Sequence, residues 1–226
     1  MTAFTSHSAF TEDAAVRRAA QAVLDGVRLD RPAAEALYHG ASLHTLARLA
    51  HHVRLRLHPD PVVTYVGDRN YSNICVCACR FCAFFRPPDA PEGYVITREE
   101  MTRKIEETLR LGGTQILLQG GHHPTLPFSW YEDLLRWMRA TWPTLHIHAF
   151  SEVAFWAQQF GMSIPDVLRR LREAGLDSLP GGGAEILHDE VRSRVSPNKC
   201  TAAVWLQVME EAHKLGMRTT ATMMFG

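Results

Sequence analysis

Four cysteines fall within eight residues, Cys75-Val-Cys77-Ala-Cys79-Arg-Phe-Cys82. Within that run Cys75, Cys79 and Cys82 are spaced CxxxCxxC, with Phe81, Phe84 and Phe85 beside them. Three thiolates at this spacing suit a loop folded around a [4Fe–4S] cluster with three protein ligands and one iron left open, which suggests a reactive cofactor. Thiolates are soft donors, so zinc is the competing reading, and Cys79-x-x-Cys82 is half of a common zinc site. That reading needs a second half, whereas Cys200 stands alone with no companion CxxC or HxxxH pair. A redox disulfide is the third reading. Cys77 is an extra thiol between the first two positions and is taken as non-ligating.

The 226 residues, 46% hydrophobic and 21% charged, can bury a sizeable core. Lys and Arg number 24 against 24 Asp and Glu, so the chain lacks the basic excess that marks a nucleic-acid partner. No long apolar run or cleavable signal marks the N-terminus, so no membrane is expected, and clustered cysteines without a signal point to a reducing cytoplasm.

Two regions must position these residues. Residues 1–60 read as a helical extension: Val16, Ala19, Ala20, Val23, Leu24 and Val27 repeat at helical spacing, a second helix opens at Asp30-Arg-Pro32, and a third runs from Ser42 to His58-Pro59. Residues 61–226 alternate strands with helices. The expected strands are Val62–Val66, Thr114–Gln119, Leu145–Phe150, Leu176–Leu179 and Arg218–Phe225. Capping boxes at Thr97/Glu100 and Ser129/Glu132, Ser163-Ile-Pro165, and one longer helical stretch ending near Gly216 supply the helices. Such repetition predicts an α/β fold, a parallel sheet with right-handed crossovers that curves into a partial (β/α) barrel. Strand ends in that architecture share one rim, so the cysteines, Gln119-Gly120-Gly121-His122-His123, Ser151-Glu152 and Pro180-Gly-Gly-Gly-Ala-Glu185 should converge.

The cysteine motif after the first strand and Gln119-Gly120-Gly121 after the second resemble the radical S-adenosylmethionine (radical SAM) superfamily. Arg69-Asn-Tyr-Ser-Asn73, Cys82-Ala-Phe-Phe-Arg86, Gln119-Gly-Gly-His-His-Pro124, His148-Ala-Phe-Ser151, Pro180-Gly-Gly-Gly-Ala-Glu-Ile-Leu187 and Thr220-Ala-Thr-Met-Met-Phe-Gly226 resemble its menaquinone and deazaflavin branch, over about residues 20 to 226. The resemblance implies a six-unit partial barrel. This chain shows five strands, so the reading is a partial barrel truncated after the fifth strand, a fragment or shortened product.

The resemblance also implies roles. Cys75, Cys79 and Cys82 would hold three irons, and the fourth would take the amino and carboxylate groups of S-adenosylmethionine. Gln119, Gly120 and Gly121 would lie along its methionine part, with Ser151, Glu185 and Arg192 near its ribose and carboxylate. The implied chemistry is an oxidative cyclisation of dehypoxanthine futalosine on the route to menaquinone, driven by an external one-electron donor such as flavodoxin or ferredoxin. Arg86 is the candidate for the substrate carboxylate, and His148 lies near the site. Sister activities of the branch, aminofutalosine and F0 synthesis, remain open, as do an iron–sulfur electron carrier and a zinc-stabilised binding module. Simpler readings stand beside these: His122 and His123 as rim residues, His146 as a buried histidine satisfied by a backbone carbonyl, the Met223-Met224 pair as packing, and Lys199 as the partner of a surface carboxylate. Glu152 follows a shorter segment than the branch leads one to expect.

Overall fold

Asp13, Asp30 and Ser42 each accept a backbone N–H from the turn ahead, which starts α1 (Ala14–Leu24), α2 (Arg31–Gly40) and α3 (Leu43–Leu57). In the computed structural model, which describes residues 13–62 and 67–225, these helices belong to the first of two compact units, 1–64. Val16, Ala19, Leu37 and Leu49 close its small core. The strand expected at Val62–Val66 lies, Val62 apart, outside the described residues.

The second unit, 65–226, alternates as expected. Its elements are β1 (Gly67–Asn70), α4 (Arg98–Arg110), β2 (Gln115–Gln119), α5 (Phe128–Thr141), β3 (His146–Ala149), α6 (Val153–Gln159), α7 (Ile164–Ala174), β4 (Ser178–Leu179), α8 (Asp189–Val195), α9 (Ala202–Lys214) and β5 (Arg218–Thr219). The strands pair in parallel in the order β1-β2-β3-β4-β5. Sequential order without reversal is the arc of a (β/α) barrel and not a doubly wound sheet, which reverses at a switch point.

Alternation sorts the two faces. Ile116, Leu118, Ile147, Ala149 and Leu179 are fully buried in one core with Met101 and Ile105 of α4, Leu135 and Met138 of α5, and Val167, Leu168 and Leu171 of α7. Each Ile, Leu, Val and Met among them contributes about 1.5–3 kcal/mol by leaving water. The residues between them, Gln115, Leu117 and Gln119 on β2 and His146 and His148 on β3, share the opposite, concave face.

Several expectations need correction. Helix α5 starts after Pro127 with no side-chain cap, so Ser129 and Glu132 form no capping box. Glu132 is instead buried and bonded to Arg170 of α7 at 2.9 and 2.6 Å. The long helical stretch is two helices, α8 and α9, parted by residues 196–201, and α6 is an additional short helix. The fifth strand spans two residues where eight were expected. Thr97 and Ser163 cap α4 and α7, accepting from the N–H of Glu100 at 3.2 Å and of Asp166 at 3.2 Å, but the Glu100 carboxylate that would complete the Thr97 capping box takes Arg103 at 2.9 and 2.7 Å.

Candidate active site

Strand β1 runs into Tyr71, whose fully buried ring anchors the cysteine loop: its hydroxyl donates to the Gly121 carbonyl at 2.9 Å. Backbone bonds extend the join. The N–H of Tyr71 reaches Gln119 O at 3.0 Å, Gly121 N–H reaches Ser72 O at 3.0 Å, and Val76 N–H reaches His122 O at 3.1 Å. A Cβ at Gly120 would overlap the Tyr71 ring, and one at Gly121 would strike the Ile74 carbonyl oxygen. The two glycines thus let the cysteine loop itself lie against the end of β2. From the other side, Arg80 N–H bonds Val195 O at 2.9 Å and the Asn198 side chain donates to Val76 O at 2.9 Å, which ties the loop to the segment between α8 and α9.

The thiols are distinguished by their surroundings. Cys75 Sγ accepts the N–H groups of Cys77 and His122, each at 3.3 Å. A hydrogen bond with the Cys77 thiol, helped by those N–H groups and by Lys199, pulls Cys75 down to about 6. The same contact with Cys75, together with burial, pushes Cys77 up, and its Sγ lies 2.8 Å from His122 Nδ1. Cys79 is buried, which pushes its thiol up, and Cys82 is exposed. Among the described residues no three His, Cys, Asp or Glu side chains already stand as a metal-holding group. The donor chemistry nonetheless fits an iron–sulfur cluster: soft thiols on one loop, backbone N–H groups aimed at the Cys75 sulfur that favour its thiolate form, and a part-buried cation, Lys199, whose field lowers Cys75 further. Cys75, Cys79 and Cys82 would hold it.

Beside the loop opens a cleft walled by His122, Ser151, Phe155, Gly182, Lys199 and Trp205, drawn from the ends of β2, β3 and β4, from α6 and α9, and from the segment between α8 and α9. His122 is stacked on Phe155 with ring centroids 4.7 Å apart, and burial pushes it down to about 3. Lys199 pairs with Glu185 at 3.3 Å, with both side chains less than a fifth exposed. Burial opposes the Lys199 charge, but Glu185 and the cysteines outweigh it and hold its pKa above the ordinary value. This is an interior pair in the site, not the surface pair the sequence suggested. Glu185 itself takes φ +31° and accepts Gly183 N–H at 2.8 Å. Gln119 and Ser151 both approach Gly182, so the ends of β2, β3 and β4 meet there.

Other expected residues take supporting positions. Arg192 is buried and donates to Gly183 O at 2.6 Å, Ala184 O at 3.0 Å and Cys200 O at 2.7 Å, so it braces the glycine-rich loop from behind. Arg86 Nη1 donates to Phe85 O at 2.8 Å, and its backbone bonds Asn73 and Cys75 across the base of the cysteine loop. His123 accepts two N–H groups of its own turn, from Thr125 and Leu126. His148 Nδ1 meets Ser178 Oγ at 2.7 Å, and burial followed by His146 pushes it down. His146 also bonds Ser178 Oγ, at 2.8 Å, in place of the expected carbonyl.

Two features escaped the sequence reading. Asn198 and Lys199 reach the site from the segment between α8 and α9, where the sequence predicts one helical stretch, and no periodicity marks such a break. Glu152 is fully buried with neither carboxylate oxygen hydrogen-bonded, and burial pushes it up to about 8. The residues around it are the aromatic cluster of Tyr71, Tyr131, Phe150 and Trp156.

The radical SAM superfamily model matches residues 70–226, the span that holds the cysteine loop and all five strand ends. The chain belongs to the radical SAM superfamily. The superfamily's cofactors, a [4Fe–4S] cluster and S-adenosylmethionine, are those of this chain. This radical SAM chain is 45% identical over 207 residues to a cyclic dehypoxanthine futalosine synthase of Halalkalibacterium halodurans, covering 90% of itself and 56% of that protein. It is 42% identical to a 5-amino-6-(D-ribitylamino)uracil–L-tyrosine 4-hydroxyphenyl transferase of Methanopyrus kandleri (86% and 53% covered) and 40% identical to an FO synthase of Streptomyces avermitilis (95% and 26% covered). The chain therefore spans about half the length, or less, of the curated relatives it matches, and its place is in the futalosine and FO synthase branch. Among solved structures, the [FeFe]-hydrogenase maturase HydG superposes with TM-score 0.73 at 15% identity over 94% of this chain and 46% of that one, and methylornithine synthase (PylB) with 0.65 at 18% over 89% and 57%. Those likenesses confirm the fold. Among the described residues no helix is long and apolar enough to cross a membrane.

Proposed function

We propose that the chain forms the catalytic core of an enzyme that oxidatively cyclises dehypoxanthine futalosine to cyclic dehypoxanthine futalosine in menaquinone biosynthesis. The observation that carries this reading is the 45% identity to a synthase of that name across nine-tenths of the chain, cysteine loop and glycine-rich rims included. The cluster with S-adenosylmethionine supplies one-electron reduction and a hydrogen-abstracting radical when bound.

The chain's own residues do the rest. Cys75, Cys79 and Cys82 hold the cluster, and the N–H groups of Cys77 and His122 fix the Cys75 sulfur. Lys199 lines the cleft and pairs with Glu185, so an ammonium and a carboxylate stand together there, complementary to an amino acid's carboxylate and ammonium ends. Ser151 and Gln119 meet the ligand at the same rim, Gly120 and Gly121 hold that rim to the cysteine loop, and Arg192 keeps the Gly182–Ile186 loop in place. Phe155 and Trp205 wall the cleft and exclude water, while Arg86, which must leave the Phe85 carbonyl to do so, takes the substrate carboxylate, and His148 takes the proton that substrate oxidation releases. An external one-electron donor of the flavodoxin or ferredoxin class completes the scheme, with the cytoplasm as its compartment.

The 42% identity to the 4-hydroxyphenyl transferase favours one second reading, transfer of a tyrosine-derived group to a ribitylaminouracil. The test is anaerobic incubation of the reconstituted chain with reductant, S-adenosylmethionine and, in parallel, dehypoxanthine futalosine, the aminofutalosine synthase substrate, or tyrosine with the ribitylaminouracil. A cyclised product in the first reaction alone is the expected result, and a product only in another overturns the reading.

A further inference from the structure

Two histidines on the concave face of β3 converge on one hydroxyl of β4. His148 Nδ1 lies 2.7 Å and His146 Nε2 lies 2.8 Å from Ser178 Oγ. Ser178 is 4% exposed and His148 9% exposed, while His146 is half-buried. The parallel register sets His148 between Ser178 and the apolar Leu117, and Ser178 between His148 and Arg218 of β5. Strand direction then orders the three groups in depth. Ser151 at the cleft follows His148 by three residues, and His146 precedes it by two, farther from the rim.

One hydroxyl proton cannot serve two imidazole lone pairs. With both rings in hydrogen-bonding range, Ser178 donates to at most one ring, and the other ring must donate to it. The chain of bonds therefore has a direction. A His148 that donates from Nδ1 keeps a lone pair on Nε2, which makes it a base, and Ser178 then donates to His146 Nε2.

We infer that His148, Ser178 and His146 form a proton relay that carries a substrate proton from the site to the half-buried His146. The inference rests on the oxidative reading of the reaction. In that reading the radical adduct at an aromatic ring carbon must lose one proton and one electron. The ring C–H bond breaks and its electron pair restores the aromatic system. The surplus electron leaves to a one-electron acceptor of the iron–sulfur class, and the proton goes to His148 Nε2. His148 passes its Nδ1 proton to Ser178 Oγ, Ser178 passes its own to His146 Nε2, and His146 releases its Nδ1 proton to water. Ser178 and His146 are positioning residues, since they act through His148.

The experiment has two readouts on the full chain. Nitrogen-15 spectra of histidine-labelled protein, without cofactor or substrate, report each ring's tautomer. Both His146 and His148 are expected to carry their proton on Nδ1, and Ser178→Ala is expected to shift both toward the Nε2–H form that predominates in water. A His148 protonated on Nε2, or rings indifferent to Ser178→Ala, overturns the relay. In turnover, Ser178→Ala and His146→Gln are expected to lower the ratio of cyclised product to 5′-deoxyadenosine by about 10²-fold, the low end of general acid–base effects. Ser178→Thr, which keeps the hydroxyl, is expected to restore it, and an unchanged ratio in both loss variants overturns the relay. A wild-type chain that makes no cyclised product refutes the proposed reaction, while the tautomers still decide whether the relay exists.

Discussion

At the scale of residues, the four thiols of the loop are chemically unequal. Cys75 is pulled below the ordinary thiol range by Cys77, two N–H groups and Lys199, which all favour its charge, while Cys77 is turned to His122. Cys75→Ala is therefore expected to abolish iron and sulfide incorporation on anaerobic reconstitution, and Cys77→Ala to leave the iron content unchanged. The reverse pattern would show that the ligand register is wrong. Glu152 yields a second prediction. Its carboxyl is pushed up to about 8 by burial, from an ordinary 4.5, so between these values the unfolded chain ionises while the folded one stays protonated. Its contribution to stability is whole below about pH 4.5 and is lost as pH rises toward 8. Urea unfolding of the cofactor-free chain should show that decline, and Glu152→Gln should flatten it. The sequence showed the cysteines because their spacing is itself the signal. It could not show Glu152 as an orphan carboxylate or Lys199 as an interior cation, since burial is a property of the packed chain.

At the scale of elements, caps and glycines set where strands deliver their ends. Gly121 approaches Ile74 too closely for any side chain. Gly121→Ala is expected to part the cysteine loop from β2 and to reduce cluster loading with little effect on the helices seen by circular dichroism. Helices α5 and α7 are clamped through the buried Glu132, held at 2.6 Å by Arg170 and at 3.3 Å by Arg136. Arg170→Met should cost about 2 kcal/mol in chemical denaturation, less than breaking a fully buried pair because Arg170 is half in water and Arg136 remains. Ser129-x-x-Glu132 matches the capping pattern, and the structure uses its glutamate across helices instead. Local pattern cannot tell these apart when a distant arginine supplies the stronger partner. Thr97 and Ser163 were legible because a cap is satisfied by N–H groups within three residues.

At the scale of the whole molecule, the strand–helix rhythm predicted a parallel, sequentially ordered sheet, and the structure has one. Convergence of the strand ends followed from that topology alone. The short lengths of β4 and β5, and the break between α8 and α9 that brings Asn198 and Lys199 to the site, depend on contacts far apart in sequence. The concave face is mostly polar, with Gln115, Gln119, His146, His148 and Ser178 around Leu117, while the convex face is apolar, so a polar small molecule suits the inside of the arc. If Cys75, Cys79 and Cys82 hold a cluster with one iron open to S-adenosylmethionine, electron paramagnetic resonance of the reconstituted, reduced chain will show a [4Fe–4S]+ signal that changes shape when S-adenosylmethionine is added. A spectrum indifferent to S-adenosylmethionine, or a colourless protein with bound zinc, would refute that assignment.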